Sequence, residues 1–263
     1  MIKAVAILAC FATAILADVH FAKLEPLDTV TIKAEASGKA IDVKSNLEGK
    51  KANGLIVHID DSVNREDLKH SKESLLLIDK MIKINQQIAP MLKKSFEKKL
   101  NLYQKVAPLS SSSVSTKDNL YSAYISAKAQ YSATLEKILN LKNQKVSLEQ
   151  KIVQLKDIIA KKSIYVKDKY LYSLNVKRGE FITVGMPLAV VQDISKAKLT
   201  IYLNEDELSN LDTKTIYING KKSNLKFSKV WKVADKKYIS SYRAEIILDA
   251  KDRFSKLIKV EVK

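Results

Sequence analysis

The residues of this sequence best suited to a specific contact with another molecule lie in one short stretch, residues 107–118, which reads APLSSSSVSTKD. Serine and threonine hydroxyls donate and accept hydrogen bonds, and their small size lets a second helix pair approach closely. A serine-rich run is usually a flexible linker, but the end of this one has the pattern of a helix start. The Ser115 hydroxyl can accept a backbone N–H while Asp118 reaches back, which predicts a capping box over 115–118.

No pattern in the sequence predicts catalysis. It contains no G-x-S-x-G, no phosphate-binding loop and no dinucleotide-binding glycine motif. The histidines His20, His58 and His70 are scattered, whereas metal ligands must converge. Lysines near the glycine turns lack the D-K-A or M-K-M context of a cofactor-carrying lysine. The sequence therefore predicts a protein that is not an enzyme and holds no metal or cofactor.

Two matched helical arms flank the serine-rich stretch. No glycine lies between Gly54 and Gly179, and glycine weakens helix interiors. Within this block, apolar residues recur every three or four positions, over roughly 64–106 and again over 116–161. Sustained spacing of this kind predicts an antiparallel coiled-coil hairpin about 65 Å long, since each helical residue adds about 1.5 Å.

Two prolines mark the first arm. Pro108 suits its end, because proline is common just after a helix terminates. Pro90 lies inside the arm, where it removes a hydrogen bond and clashes with the preceding turn. The sequence therefore predicts a kink or a break near residues 86–89.

The segments on either side of the arms have the pattern of short strands separated by glycine turns. The first reads EGKKANGLIVHID at 48–60, and the second reads RGEFITVGMPLAVVQD at 178–193. Further apolar runs follow toward the C-terminus, with a tight turn predicted at Asn219-Gly220. Several short strands within about 70 residues favour a small β-barrel or sandwich. The predicted fold class is α+β, with a long helical hairpin inserted into a β framework.

The two glycine-containing flanks resemble the halves of a split lipoyl-like β-sandwich. The order of lipoyl half, hairpin, lipoyl half and β-barrel is similar to that of periplasmic adaptors, the HlyD-like membrane fusion family. The match covers nearly the whole chain after residue 17 and is strongest at 178–208. It implies a first lipoyl-like half within 18–62, a hairpin at 63–162 with its tip near 107–116, a second lipoyl-like half at 163–194 and a β-barrel at 195–263.

Members of that family hold no active site. The resemblance implies that this chain links an inner-membrane transporter, driven by ATP or by protons, to a TolC-like outer-membrane channel. The setting would be a tripartite efflux or type I-like secretion system. It also implies a homo-oligomer, because several copies line up into a tube whose hairpin tips meet the channel.

The tip of transporter-linked members carries an arginine, a leucine after three intervening residues, and a serine after six more. That spacing falls here on Lys105, Leu109 and Thr116, which keeps only the leucine. A second register uses Ser115 for the serine and puts Gln104 and Pro108 at the other positions. The resemblance thus implies a partner-contact site at the tip, made of Lys105, Leu109, Ser112, Ser113, Ser115 and Thr116.

The N-terminal residues predict export. Residues 1–17 read MIKAVAILACFATAILA, with one lysine followed by an apolar run shorter than the about 20 residues that a spanning helix needs. This is the pattern of a secretory signal peptide cleaved after Ala17 or Ala14. An alternative is a lipoprotein signal acylated at Cys10. With the family resemblance, the segment predicts a periplasmic protein associated with the inner membrane.

The charge leaves other interpretations open. The net charge is +17, yet only four of the 46 basic residues are arginines, the residue that nucleic-acid-binding proteins favour. The lysines are spread along the chain, which favours a solvated surface and no nucleic-acid partner. One alternative is a basic coiled-coil protein that binds nucleic acid or an acidic surface. Another is an envelope spacer that works without a transporter.

Overall fold

The structure is a computed structural model that describes residues 19–249 and 254–263. The predicted signal peptide, with Cys10, lies outside the described residues. The helices are α1 (Ser62–Val106), α2 (Val114–Lys161) and the short α3 (Glu205–Leu208). The strands are β1 (Val19–Lys33), β2 (Gly38–Val43), β3 (Lys50–Ile59), β4 (Ser163–Leu174), β5 (Phe181–Ile182), β6 (Pro187–Leu203), β7 (Ile216–Ile218), β8 (Lys221–Lys222), β9 (Phe227–Val230), β10 (Tyr242–Asp249) and β11 (Leu257–Val262).

The described strands form one antiparallel sheet in the order β5-β2-β3-β4-β6-β1-β11-β7-β8, and β10 joins it by pairing with β6 and β9. Two long strands connect its parts. β1 pairs with β11 through residues 19–23 and with β6 through residues 24–33. β6 pairs with β4 through its first residues and with β10 through residues 196–203. The α+β prediction, with a helical hairpin inserted into a β framework, is confirmed.

The buried apolar side chains form two cores. The first draws on strands from both sides of the helical pair, and its fully buried members include Ile56, Ile59, Leu171, Ile182 and Leu188. The second comes from the C-terminal strands and the start of β1, and it includes Ala22, Leu24, Leu199, Ile246 and Val260. Burying one large aliphatic side chain contributes about 2 kcal/mol. Because β1 and β6 supply side chains to both cores, these two strands hold the halves of the sheet together.

Helices α1 and α2 pack against each other in opposite directions. The Phe96 and Tyr131 rings lie 5.3 Å apart, centroid to centroid, whereas further from the turn Lys145 Nζ donates to Asp79 Oδ1 at 2.7 Å. Moving away from the turn, residue numbers increase along α2 and decrease along α1, so the two helices run antiparallel. At about 1.5 Å per residue, each helix extends roughly 65–70 Å.

Of the kink or break predicted near residues 86–89, the break is wrong. Helix α1 runs without interruption from Ser62 to Val106, with Pro90 inside it. Buried Ile82 and Ala89 lie on the near side of the proline, and the Phe96–Tyr131 contact lies on the far side. Packing against α2 therefore holds both sides of the proline in one helix, although one backbone hydrogen bond is lost.

The helical pair joins the sheet at one end of the hairpin, where β3 leads into α1 and α2 leads into β4. Lys162 Nζ donates to the Asp60 carbonyl at 2.7 Å and to Asn64 Oδ1 at 2.6 Å, which ties the end of α2 to the start of α1. Nearly buried Asp61 pairs with Arg65 Nη2 at 2.7 Å, and the hydrogen bond from Arg65 holds the pKa of Asp61 below its ordinary value. These contacts fix the position at which the hairpin leaves the sheet.

The last strand carries a carboxylate that makes stability depend on pH. Glu261 accepts from Lys259 and Lys263, each at 2.6 Å, and these hydrogen bonds lower the pKa of Glu261 from 4.5 to about 2. A carboxyl group whose pKa is lowered by folding stabilises the fold at pH values above its ordinary pKa of 4.5. That contribution is lost as the pH falls toward 2. We expect Glu261→Gln to lower the melting temperature at pH 7, and the gap from wild type to close between pH 4.5 and pH 2. A gap that is constant over this range would contradict the assignment.

Candidate partner-contact site at the hairpin tip

A short turn joins the two helices at the end opposite the sheet. The N–H of Ala107 donates to the Tyr103 carbonyl at 2.8 Å and closes α1, and the N–H of Leu109 donates to the Val106 carbonyl at 3.1 Å. Within the turn, the N–H of Ser112 donates to the Leu109 carbonyl at 3.3 Å. The serine-rich stretch is therefore a hydrogen-bonded reversal.

The predicted capping box at 115–118 is wrong, because α2 begins earlier. Val114 and Ser115 already lie in the helix, and the residue before them, Ser113, is extended with φ −68° and ψ 151°. Ser113 Oγ accepts from the Thr116 N–H at 3.2 Å and lies 2.8 Å from the Thr116 hydroxyl oxygen. The cap is therefore Ser113, since the extended residue just before the first helical turn faces its free N–H groups.

The location of the cap gives a direct test. We expect Ser113→Ala to lower the local stability of the α2 start by about 1 kcal/mol, because the Thr116 N–H loses its acceptor. Amide hydrogen exchange at residues 114–117 should accelerate accordingly. Ser115→Ala is the matched control, and it should leave the exchange rates unchanged. The opposite ranking of the two variants would restore the cap to Ser115.

The structure brings all six sequence-derived candidates to this end of the hairpin. Lys105 lies on the last turn of α1, Leu109 lies in the turn, and Thr116 lies on the first turn of α2. The side chains are exposed, apart from half-buried Ser112. The surface combines hydroxyls, which exchange hydrogen bonds, with an apolar side chain that a partner can bury. Such a surface suits binding between proteins.

Sequence reasoning missed apolar members of the same surface. Val114 is 75% exposed at the start of α2, and Leu102 is about half exposed on α1. Tyr121 is also exposed, and its ring packs 5.2 Å from that of Tyr103. The sequence signal was available, because Leu102 and Tyr121 each lie one position from the buried row of their helix. Together with Leu109, they place apolar area next to the serine hydroxyls.

Neither a metal-binding group nor a membrane-spanning helix is found among residues 19–249 and 254–263. No group of three or more histidine, cysteine, aspartate or glutamate side chains is arranged to hold a metal ion there. Within the same ranges, no helix is both long and apolar enough to cross a membrane.

Comparison with solved structures reveals what this arrangement is similar to. MacA from Actinobacillus actinomycetemcomitans superposes with a TM-score of 0.54 at 19% identity, covering 94% of this chain and 78% of that one. The membrane fusion protein Spr0693 from Streptococcus pneumoniae R6 superposes with a TM-score of 0.58 at 11% identity, covering 94% of this chain and 99% of that one. This chain has the fold of a membrane fusion protein.

A third solved structure is also similar to this chain. A MacA–MexA chimera, which contains the Pseudomonas aeruginosa MexA α-hairpin domain, matches with a TM-score of 0.54 at 17% identity, covering 94% of this chain and 80% of that one. No family model matches the sequence, and no curated protein is detectably similar to it. The predicted resemblance to membrane fusion proteins is therefore confirmed by the fold, which persists here at low sequence identity.

Proposed function

We propose that the chain is a periplasmic adaptor, not an enzyme, which links an inner-membrane transporter to a TolC-like outer-membrane channel in a tripartite efflux or type I-like secretion system. The observation that carries this proposal is the hairpin, a rod about 65 Å long with an exposed polar and apolar tip on a β framework of membrane fusion type. The rod holds its tip about 65 Å away from the β framework, and the tip offers a surface for a partner. The expected location is the periplasm, at the inner membrane.

The two cores support a finer division of the β framework. The first core combines residues 32–59 with residues 164–191, which lie on either side of the hairpin in sequence, as a split lipoyl-like domain requires. The second core combines the start of β1 with residues 197–262, as a closing β-barrel requires. We assign 18–62 and 163–194 to the lipoyl-like domain, 63–162 to a coiled-coil hairpin and 195–263 to the barrel, after a signal peptide at 1–17.

The tip is the proposed contact for the channel. Leu109 lies in the turn, half exposed, between Lys105 on the last turn of α1 and Thr116 on the first turn of α2. Apolar side chains surrounded by hydrogen-bonding groups are typical of the central part of a protein interface. Lys105, Leu109, Ser112, Ser113, Ser115 and Thr116 are the proposed contact residues.

Site-specific cross-linking in cells tests the adaptor function. A photoreactive side chain at Leu109 should capture an outer-membrane channel protein. The same group at Val63, which is 71% exposed at the other end of α1, is the matched control and should not. If the Leu109 derivative is abundant in the periplasm and captures no channel, the adaptor function is wrong. Loss of envelope integrity on gene deletion, with solute export unchanged, would favour the spacer instead.

The helices also support side-by-side assembly of several copies, because each carries a second apolar row that its partner helix does not cover. The α1 stripe is spaced by four and three residues, is 40–70% exposed, and comprises Leu77, Met81, Ile84, Ile88 and Met91. The α2 stripe is spaced by seven residues, is 53–65% exposed, and comprises Leu139, Val146 and Val153. Exposed apolar residues with heptad spacing are what a helix presents to a further helix.

The two stripes lie on opposite faces of the hairpin. In the α1 stripe, Met81 comes one position before buried Ile82, whereas in the α2 stripe Leu139 comes one position after buried Ile138. In an antiparallel pair of right-handed helices, positions just before the buried row lie on one face for both helices, and positions just after it lie on the other. The α1 stripe of one copy can therefore meet the α2 stripe of a neighbour.

The stripes overlap along part of the rod. Asp79, near the start of the α1 stripe, bonds to Lys145, near the middle of the α2 stripe. Leu139 and Val146 therefore lie level with the first half of the α1 stripe, and copies can bring these parts together without displacement along the axis. A repeated contact between two different faces closes into a ring when the rotation permits, so we propose a ring-shaped homo-oligomer.

Charges placed in the α1 stripe should weaken that assembly. We expect Ile84→Glu with Ile88→Glu to raise the dissociation constant between copies by at least about tenfold, because carboxylates would be desolvated in the contact. Sedimentation velocity over a range of concentrations measures the effect. Gln87→Glu with Asn101→Glu is the control, since both residues are exposed on α1 outside the stripe. Equal assembly of the two double variants would contradict the ring.

A further inference from the structure

The loop between β9 and β10 exposes apolar side chains that the fold does not need there. Val233 is 78% exposed and Ile239 is 84% exposed, and Tyr238 in the same loop is about half exposed. Single exposed apolar residues are common on protein surfaces. Three of them lie within residues 231–241, and exposed apolar side chains grouped in this way mark an interaction surface.

Specific hydrogen bonds hold the loop in place. Asp235 Oδ1 accepts from the N–H groups of Lys237 at 2.8 Å and Tyr238 at 3.2 Å, and the N–H of Asp235 donates to the Ser241 carbonyl at 2.9 Å. The Tyr238 ring packs 4.3 Å from that of Tyr202, centroid to centroid. The exposed side chains thus project from a defined turn.

Lysines surround the apolar residues of the loop. Lys232, Lys236 and Lys237 are exposed within it, and Lys229 lies just before it with its Nζ 4.4 Å from the centre of the Trp231 ring. Asp235 is the carboxylate within this loop, and its Oδ1 accepts the two backbone N–H groups of the turn. Apolar tips ringed by lysines complement the surface of an anionic bilayer, where the tips enter the acyl boundary and the ammonium groups meet phosphates.

The loop lies beside the start of the described chain. Tyr238 and Arg243 line one recess together with Val19 and Phe21 of β1, and the Phe21 side chain is 65% exposed. The residues that precede β1 include the apolar run of positions 4–17. The lysine-ringed patch and the entry of the chain from its apolar N-terminal segment are therefore at the same end of the β framework.

We propose that the 231–241 loop, together with Val19 and Phe21, is a membrane-contact surface that docks on a bilayer containing anionic phospholipid. The surface deepens the proposed placement at the inner membrane and rests on it. In an adaptor located at that membrane, this contact holds the β framework against the lipid and leaves the hairpin tip free for its partner. Where the N-terminal segment is retained or Cys10 is acylated, the loop supplies a second attachment at the same end, and the two act together because the second is then intramolecular.

Vesicle co-sedimentation of the secreted chain tests the apolar part of the surface. The probes are vesicles of phosphatidylethanolamine with phosphatidylglycerol, compared with phosphatidylcholine alone. We expect Val233→Ser with Ile239→Ser to reduce partitioning onto the anionic vesicles by about tenfold. Val63→Ser with Val184→Ser removes two other highly exposed apolar side chains, 71% and 65% exposed, and should partition as the wild type does. Every variant keeps the same N-terminus, so a difference between them reports on the loop.

Charge variants test the lipid headgroup. Lys232→Gln with Lys236→Gln and Lys237→Gln should lose about tenfold in binding to the anionic vesicles, and added salt should remove the difference. Lys94→Gln with Lys98→Gln and Lys142→Gln removes the same charge from the hairpin and should bind normally.

Wild-type partitioning by the loop variants, or an equal loss in the controls, would overturn the membrane assignment. Unchanged vesicle binding with loss of a cross-link to an inner-membrane protein would identify a protein as the occupant and overturn the lipid assignment. These measurements use neither transporter nor channel, so their failure is distinguishable from failure of the Leu109 cross-link.

Discussion

Replacing Gly38 by alanine is expected to lower the free energy of unfolding by about 3 kcal/mol. The added Cβ would clash with a buried side chain, and the backbone angle at this position is unfavourable for any residue but glycine. Gly38 begins β2 with φ +151°, and a Cβ at this position would lie 2.7 Å from Ile59 Cγ2. Ile59 is completely buried in the first core, so it cannot move away without disturbing its neighbours. Chemical denaturation of the purified protein measures the loss.

Gly54→Ala separates the two causes. Gly54 has a similar backbone angle, φ +126°, but nothing lies within 4 Å of its added Cβ. It should therefore carry only the backbone penalty, about 1 kcal/mol. If the two variants lose equal stability, the contact with Ile59 is not what excludes a side chain at Gly38.

Replacing Pro90 by alanine is expected to raise the stability of the hairpin by about 2 kcal/mol. The alanine restores the hydrogen bond to the preceding turn and removes the ring clash, and part of this gain is offset because proline also stiffens the unfolded chain. Pro90 is exposed within an unbroken helix, so no packing contact of the ring is sacrificed. The midpoint of thermal unfolding, followed by helical circular dichroism, reports the change.

Gln87→Ala is the control for Pro90, because Gln87 is exposed on the same helix and carries no backbone defect. It should change the free energy of unfolding by about a few tenths of a kcal/mol at most, and so leave the midpoint almost unchanged. A fall in stability for Pro90→Ala would mean that the proline is adapted to a bend that α1 requires. That outcome would contradict the interpretation of α1 as one helix held together by its packing against α2.

The helical pair was predictable because its determinants are local. The five buried residues of α2, which are Ala127, Ile138, Leu141, Ile152 and Leu155, lie on the three- and four-residue spacing of the second arm. The Asn219-Gly220 turn was likewise predictable, since both residues have positive φ and asparagine and glycine accept that conformation most readily.

Two local predictions failed where packing outweighed a local rule. Pro90 does not break α1, because contacts with α2 on both sides of it hold the helix. The cap of α2 is Ser113 and not Ser115, because both are equally able to cap and the choice depends on where the turn from α1 closes. The Tyr103 and Tyr121 rings, 5.2 Å apart, belong to the packing that aligns the two helices beside the turn, and a sequence pattern does not specify that packing.

The sequence by itself determined that a helical pair interrupts a run of strands, where the reversal between the two helices lies, and the resemblance to membrane fusion proteins. These features depend on periodicity and turn chemistry among near neighbours. Only the tertiary structure decided that β1 pairs with both β6 and β11, that two apolar stripes lie on opposite faces of the hairpin, and that the 231–241 loop lies beside Val19. The physical reason is that strand pairing and surface contacts join residues that can be more than 200 positions apart, such as Val19 and Glu261. Alternation along one strand carries no information about which distant strand completes its hydrogen bonds.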